Sequence, residues 1–307
     1  MSRFFRRTGW CLALVLLGAA SISAQQIADP EFKAHVERPA FNKGYPRVLF
    51  DEAHNNFHTT TGRYKPFADL IVNDGYQVIT GRKAFVKPTL DTFKILIIAN
   101  ALGAEDVDDE GADHSAFTDE ECDAVRDWVR SGGALLLIAD NAPFGGAAEN
   151  LAKRFGVEMS KGFTRDPTHT VAEANNPGFI LFSRENGLLL DHPITAGRDD
   201  SEKINRVLTF TGQSLKGPEG STAFLKLSDG AVDEVPPEPL KDVSAAGRAQ
   251  GIAIKFGKGR VVVLGDAAML SAQIAGRERR PLGMNWPGTD NRQLALNIMH
   301  WLTGLLK

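Results

Sequence analysis

The sequence predicts an α/β domain on a mostly parallel sheet, with an inserted region of antiparallel strands and loops. Three observations lead there. Continuous apolar runs at 47–50, 94–99 and 134–139 suit strands covered on both faces. Helical patterns separate the runs, which implies right-handed crossovers between parallel strands. From about 157 to 255 the chain instead shows Gly and Pro punctuation with short alternating segments, the pattern of antiparallel strands and loops.

The elements follow in order. Arg3, Arg6 and Arg7 precede an uncharged apolar stretch, Trp10 to Ala20, and Ile22-Ser23-Ala24 offers a small residue for cleavage. That is the layout of a secretory signal peptide over 1–24, cut after Ala24. Its apolar run is shorter than the roughly 20 residues that span a bilayer. Residues 25–46 read as a polar N-terminal arm, and 47–307 as the domain. Arg47 to Phe50 is a strand running into Asp51. Phe67, Leu70 and Ile71 share a helical face that Gly75 ends. Tyr76 to Ile79 is the second strand, and Lys94 to Ala99 the third, ending at Asn100.

Thr118 with Glu121 three residues on forms a capping box, followed by Cys122, Val125 and Val129 on one side of a helix. Ala134 to Ala139 is the fourth strand and runs into Asp140. A short helix spans Ala147 to Phe155. In the insertion, strands are expected near Val207 to Thr211 and Ala223 to Leu227. Gly251 to Phe256 and Arg260 to Leu264 make a hairpin turning at Gly257-Lys258-Gly259, and its second arm ends at Asp266. Leu294, Ile298, Trp301, Leu302 and Leu305 form the core-facing stripe of a final helix.

Composition excludes some functions. The formal charge of −3 becomes −6 once the leader's three arginines are lost, since no acid leaves with them. Such a chain has no electrostatic footprint for nucleic acid, and stable membrane insertion after cleavage is not expected. The basic run Arg277-Glu278-Arg279-Arg280 reads as a solvated loop. The one cysteine left after cleavage, Cys122, permits neither an internal disulfide nor a zinc-type cysteine pair. It lies on the apolar stripe of its helix and reads as a packing residue, although the helix dipole would lower its pKa somewhat.

Polar residues cluster at strand ends: Asp51 (followed by Glu52, His54 and Asn55), Asn100, Asp140 (followed by Asn141) and Asp266. In an open parallel sheet these ends share one edge, and ligands bind in the crevice outside it. The loop from Ser271 to Asn291, carrying Asn285 and Trp286, is expected to wall that crevice. Asp and Asn after strands are also ordinary turn formers and caps. His54, Asp51 and Asp140 are the candidates for acid–base catalysis. No metal site is expected; the residues that could contribute to one are His54, His58 and Asp140, without a zincin pattern. No cofactor is implied, because no Gly-rich phosphate loop follows the first strand. A Gly-x-Ser-x-Gly elbow is likewise absent.

Several segments together resemble a family of uncharacterised exported bacterial proteins with a class I glutamine-amidotransferase-like domain. They are Val48 to Asn55, Leu137 to Asp140, Phe210 to Leu215, Val262 to Asp266 and Leu294 to Asn297. Asp191 to Ile194 also resembles sugar-related members of the wider superfamily. The resemblance implies a flavodoxin-like three-layer sandwich. It does not imply glutaminase activity, since the nucleophilic Gly-x-Cys-x-Gly elbow is missing. Three readings follow: an exported, non-catalytic module binding a polar small molecule or carbohydrate; a carboxylate- and histidine-dependent hydrolase of a glycan, ester or amide; and an envelope scaffold.

Overall fold

Unbroken runs of Val, Leu and Ile favour extended chain, and a run with no polar face must be covered twice. The computed structural model describes residues 26–307. The expected leader over 1–24 and its cleavage after Ala24 lie outside the described residues. Main-sheet strands and the longer helices are β1 (Arg47–Asp51), α1 (Lys65–Asn73), β2 (Gln77–Gly81), β3 (Ile95–Ala99), α2 (Asp119–Arg130), β4 (Ala134–Ile138) and α3 (Phe144–Lys153). After them come β5 (Glu158–Met159), β6 (Leu215–Lys216), β7 (Thr222–Lys226), β8 (Ala249–Phe256), β9 (Gly259–Leu264) and α4 (Asn291–Thr303).

The strand order is β2-β1-β3-β4-β9-β8-β6-β5, with β7 also paired to β8. The first five are parallel, with Val48 beside both Val78 and Ile95, and Leu136 beside both Ile97 and Val262. From β8 onward the pairing is antiparallel. Alternate residues bury opposite faces. Phe50, Ile97, Leu136 and Val262 share a core with Phe67 of α1 and Trp301 of α4. Leu49, Leu96, Leu135 and Val263 share the other with Val125 of α2 and Leu151 of α3. The fold is thus a flavodoxin-like three-layer α/β sandwich. Each fully buried Leu, Ile or Val contributes about 1.5–3 kcal/mol, so both helical layers are firmly held.

Some expectations need correction. The insertion does not merely pack on the sheet: β5, β6 and β7 join it through β8. The rest of the insertion forms a three-stranded sheet (Phe163–Arg165, Val232–Val235, Lys241–Ser244) and a two-stranded pair (Leu181–Ser183, Arg206–Leu208). The expected loop after Ser271 contains a hairpin, Ala272–Ala275 with Arg280–Gly283, and the N-terminal arm adds Gln26–Ala28 as its third strand. The helix expected from Ala147 begins at Phe144 and includes Gly145 and Gly146 in its first turn, although glycine is a weak helix former, which is why the pattern places the start later. Leu305 leaves the stripe of α4. Gly304 takes φ +89 and ends the helix, exposing Leu305 and burying Leu306. No helix among the described residues is long and apolar enough to cross a membrane.

Candidate functional site

The parallel strands bring Asp51, Asn100, Asp140 and Asp266 to one edge of the sheet, but not into one cavity. β9 runs parallel to β4, so Asp266 stays on the edge that carries Asp140. A crevice of about 480 Å³ opens over the ends of β3 and β4. Of the expected residues, Asn100, Asp140 and Asn141 line it, as does His58.

Asn100 ends β3 in a left-handed conformation, φ +51, which asparagine tolerates. Its Oδ1 accepts the Asp140 N–H at 3.0 Å and so fixes the start of the next loop. Asp140 Oδ1 accepts from the Asn141 N–H at 2.9 Å. Asp266 lies beneath, fully buried, with Oδ1 accepting from the Met269 N–H and Oδ2 from the Phe210 N–H, at 2.7 and 2.6 Å. Burial holds the Asp140 carboxyl well above its ordinary value, and the nearby Asp266 adds to the effect. Burial likewise pushes Asp266 up to about 6, against two backbone hydrogen bonds that favour its ionised form. Asp266 therefore organises the floor and does not face a ligand.

That floor is backbone laid on backbone. A Cβ on Gly212 would meet the Gly265 carbonyl oxygen at 2.2 Å, and one on Gly265 would meet the Gln213 carbonyl oxygen at 2.1 Å. Gln213 Nε2 donates to the carbonyls of Ala139 and Asp140, both at 2.9 Å. Thr211, a β-branched residue at φ +66, is held on the crevice wall, where Asn141 Nδ2 donates to its carbonyl. Strain of this kind persists only where the surroundings enforce it.

Asp51 and His54 do not line the crevice; they form a closed buried network beside it. His54 Nδ1 lies 2.9 Å from both oxygens of Asp51, and Nε2 lies 3.0 Å from Glu121 Oε1. Carboxylates accept only, so both ring nitrogens donate and the ring is an imidazolium. Burial opposes that charge, but hydrogen bonds and attraction from Asp51 and then Glu121 outweigh it and raise the His54 pKa. Burial also opposes ionisation of Glu121, yet the N–H groups of Thr118 and Phe85 and the His54 ring hold its carboxyl below the ordinary value. Phe85 and Phe117 flank the imidazole, with ring centroids 4.6 and 4.7 Å away. The capping-box glutamate thus serves twice, at the helix start and as a partner for a histidine 67 positions earlier.

The other expected residues lie elsewhere. Glu52 and Asn55 line a separate shallow depression of about 390 Å³. Asn285 Nδ2 donates to Asp29 Oδ2 and to the Gln273 carbonyl, both at 2.9 Å, tying the arm to the hairpin. Trp286 sits behind the wall, 6.0 Å from Phe179 and 5.8 Å from Phe210 between ring centroids. A larger depression, about 750 Å³, includes Asp108, Asp109 and Asp113, but these acids are exposed to solvent.

The sequence reading missed several wall residues. Phe57, Arg63, Phe144, Phe179, Phe210 and Arg280 all line the crevice. Of these, Phe210 stood within a segment carrying the family resemblance, and Arg280 within a run read as solvated. Arg277 and Arg279 are indeed exposed at the hairpin turn, whereas Arg280 returns to the wall. His58 is 3% exposed and stacks on Tyr64 with centroids 4.7 Å apart. Burial, helped by Arg63, lowers its pKa to about 3, so the ring is neutral. No group of three or more potential metal ligands occurs among the described residues. Of the three possible ligands, His58 and Asp140 share the crevice and His54 does not.

No family model matches the sequence, and no curated protein matches it. Solved structures do. The mmIFT52 N-terminal domain aligns at TM-score 0.60 with 16% identity, covering 83% of this chain and 97% of that one. A GMP synthase protein from Thermoplasma acidophilum aligns at TM-score 0.45 with 12% identity, covering 85% of this chain and 96% of that one. A ThuA-like protein from Bacteroides uniformis aligns at TM-score 0.43 with 12% identity, covering 87% and 93%. The first likeness concerns the fold alone; the other two are too distant to add to it.

Proposed function

We propose that this chain is an exported, non-catalytic glutamine-amidotransferase-like module that binds a polar small molecule, of the carbohydrate kind, in the strand-end crevice. The observation that carries the reading is the lining: amides and a carboxyl from Asn100, Asn141 and Asp140 set among the aromatic rings of Phe57, Phe144, Phe179 and Phe210. Hydroxyls satisfy such polar groups, and ring faces cover the apolar side of a sugar.

The competing hydrolase reading needs a free base beside the acid. His54 has both nitrogens engaged, and Asp51 is taken up by His54, the Ala53 N–H and Asn56 Nδ2. The cysteine also gives it little support. Cys122 is on the buried side of α2, within the core, and burial pushes its thiol up to about 11. The scaffold reading would be favoured by one large apolar patch, whereas the exposed large apolar residues, such as Tyr45, Val72, Val86 and Val243, lie on different elements.

Titration calorimetry with a panel of mono- and disaccharides tests the proposal. Binding is expected, and Phe57→Ala should weaken it about tenfold without altering the fold, since this ring is already 37% exposed. Turnover of chromogenic glycosides or esters, lost in Asp140→Asn, would establish the hydrolase instead. A panel that yields neither binding nor turnover overturns the reading.

A further inference from the structure

Arg63 and Arg280 come to the crevice from different parts of the chain. Neither has a carboxylate within 4.0 Å among the described residues. Arg126, Arg154, Arg165, Arg184 and Arg198, by contrast, each face an acid. Arg63 Nε donates to the Gln26 carbonyl at 3.1 Å, and its guanidinium lies over the Phe57 ring at 4.5 Å. Arg280 donates to the Glu173 carbonyl and lies 5.6 Å from the Trp286 ring centre. Each side chain is therefore fixed by a carbonyl and an aromatic ring, which leaves other N–H donors of the fork for a further acceptor.

The surroundings do not neutralise this charge. Asp140 is the only acid on the lining, and its raised carboxyl does not cancel two guanidinium groups. Burial pulls Arg63 below its ordinary value, as expected of a cation without a counter-charge. His58, buried and on the same lining, has its Nδ1 without a hydrogen-bond partner. Two guanidinium groups without a carboxylate partner on the wall of one crevice mark a polar site completed by something other than this chain.

We propose that the crevice takes an anionic polyhydroxylated ligand, an acidic sugar whose carboxylate or phosphate is bound by Arg63 and Arg280 and whose hydroxyls meet Asn100, Asn141 and His58. This rests on the crevice being the polar-ligand site argued above. It narrows the ligand class from any sugar to those bearing an oxyanion. Arg forks suit planar or tetrahedral oxyanions, and a partly desolvated setting strengthens the contact.

Matched ligands test it by calorimetry on the mature chain: D-glucose against D-glucuronate and D-glucose 6-phosphate, and D-galactose against D-galacturonate. A charged member should bind at least about tenfold more tightly than its neutral partner. The uronate and phosphate arms tell which oxyanion is preferred. Arg63→Gln and Arg280→Gln should each erase most of that preference with the melting temperature unchanged. Equal binding of neutral and charged sugars would overturn the inference and leave the polar-ligand reading intact. Inorganic phosphate binding as tightly as the sugar acids would overturn it too, by removing the role of the hydroxyls. Binding of no member would overturn both.

Discussion

His54 Nδ1 lies 2.9 Å from each oxygen of the Asp51 carboxylate, and the opposite nitrogen of the same ring is bound to Glu121. The ring thereby joins the end of β1 to the start of α2. Removing it leaves two acids facing each other in a nearly dry space. His54→Ala should therefore lower the unfolding free energy by about 3–5 kcal/mol, the cost of breaking a buried ionic group by deleting one partner. The folded pKa of His54 is raised, so its stabilisation is complete below about 6.5 and fades as pH rises through the folded value. The penalty should be larger at pH 6 than at pH 9 in urea unfolding. An unchanged urea midpoint together with lost sugar binding would return His54 to the site.

Sequence patterns revealed the sheet better than the site. β3 and β4 are fully apolar runs, β9 is apolar from Val261 to Leu264, and each lies in the sheet with both faces covered. The edge shared by Asp51, Asn100, Asp140 and Asp266 follows from parallel pairing alone. Their different surroundings do not. Whether an acid faces a crevice or a histidine depends on loops that have no periodicity, and Glu121 meets His54 only after two strands and two helices are in place. The walls come from the insertion and from the hairpin, through Phe179, Thr211 and Arg280. Phe210 and Thr211 were expected within a strand, yet the strand ends at Leu208. Leu306 replaced Leu305 in the core because Gly304 reversed the chain, a shift that a 3.6-residue period cannot anticipate.

Cys122 lies on the buried side of α2 with no exposed surface, and its thiol is pushed up to about 11. It should resist a disulfide-exchange reagent in the native protein and react at once when unfolded. Cys122→Ser should cost about 1–3 kcal/mol, because a hydroxyl replaces sulfur in an apolar setting. Sugar binding should be unchanged in the folded variant. Rapid labelling under native conditions, or binding lost without a fall in stability, would contradict this packing role.

Asp140 and Asp266 should make the protein less stable in alkali than in mild acid. Both folded pKa values are raised, by burial first, and for Asp140 also by the charge of Asp266. For a raised carboxyl the folded state binds the proton more tightly than the unfolded chain does. The associated stability is complete below about pH 4 and is lost as pH rises, through about 6 for Asp266 and through the raised value of Asp140. His54 slopes the same way above about 6.5, so the wild-type curve alone does not separate them. Asp140→Asn does. The amide retains an oxygen for the Asn141 N–H, now accepted at 2.9 Å, and removes the charge facing Asp266. The variant should be more stable than the native protein at pH 8, because it lacks the charge that burial and Asp266 disfavour. At pH 4.5, where the raised pKa favours the protonated native carboxyl, the gain should be smaller. Urea unfolding of both proteins at the two pH values measures the difference. A variant destabilised equally at both would show that Asp140 acts as an ionised cap whose hydrogen bonds outweigh its burial.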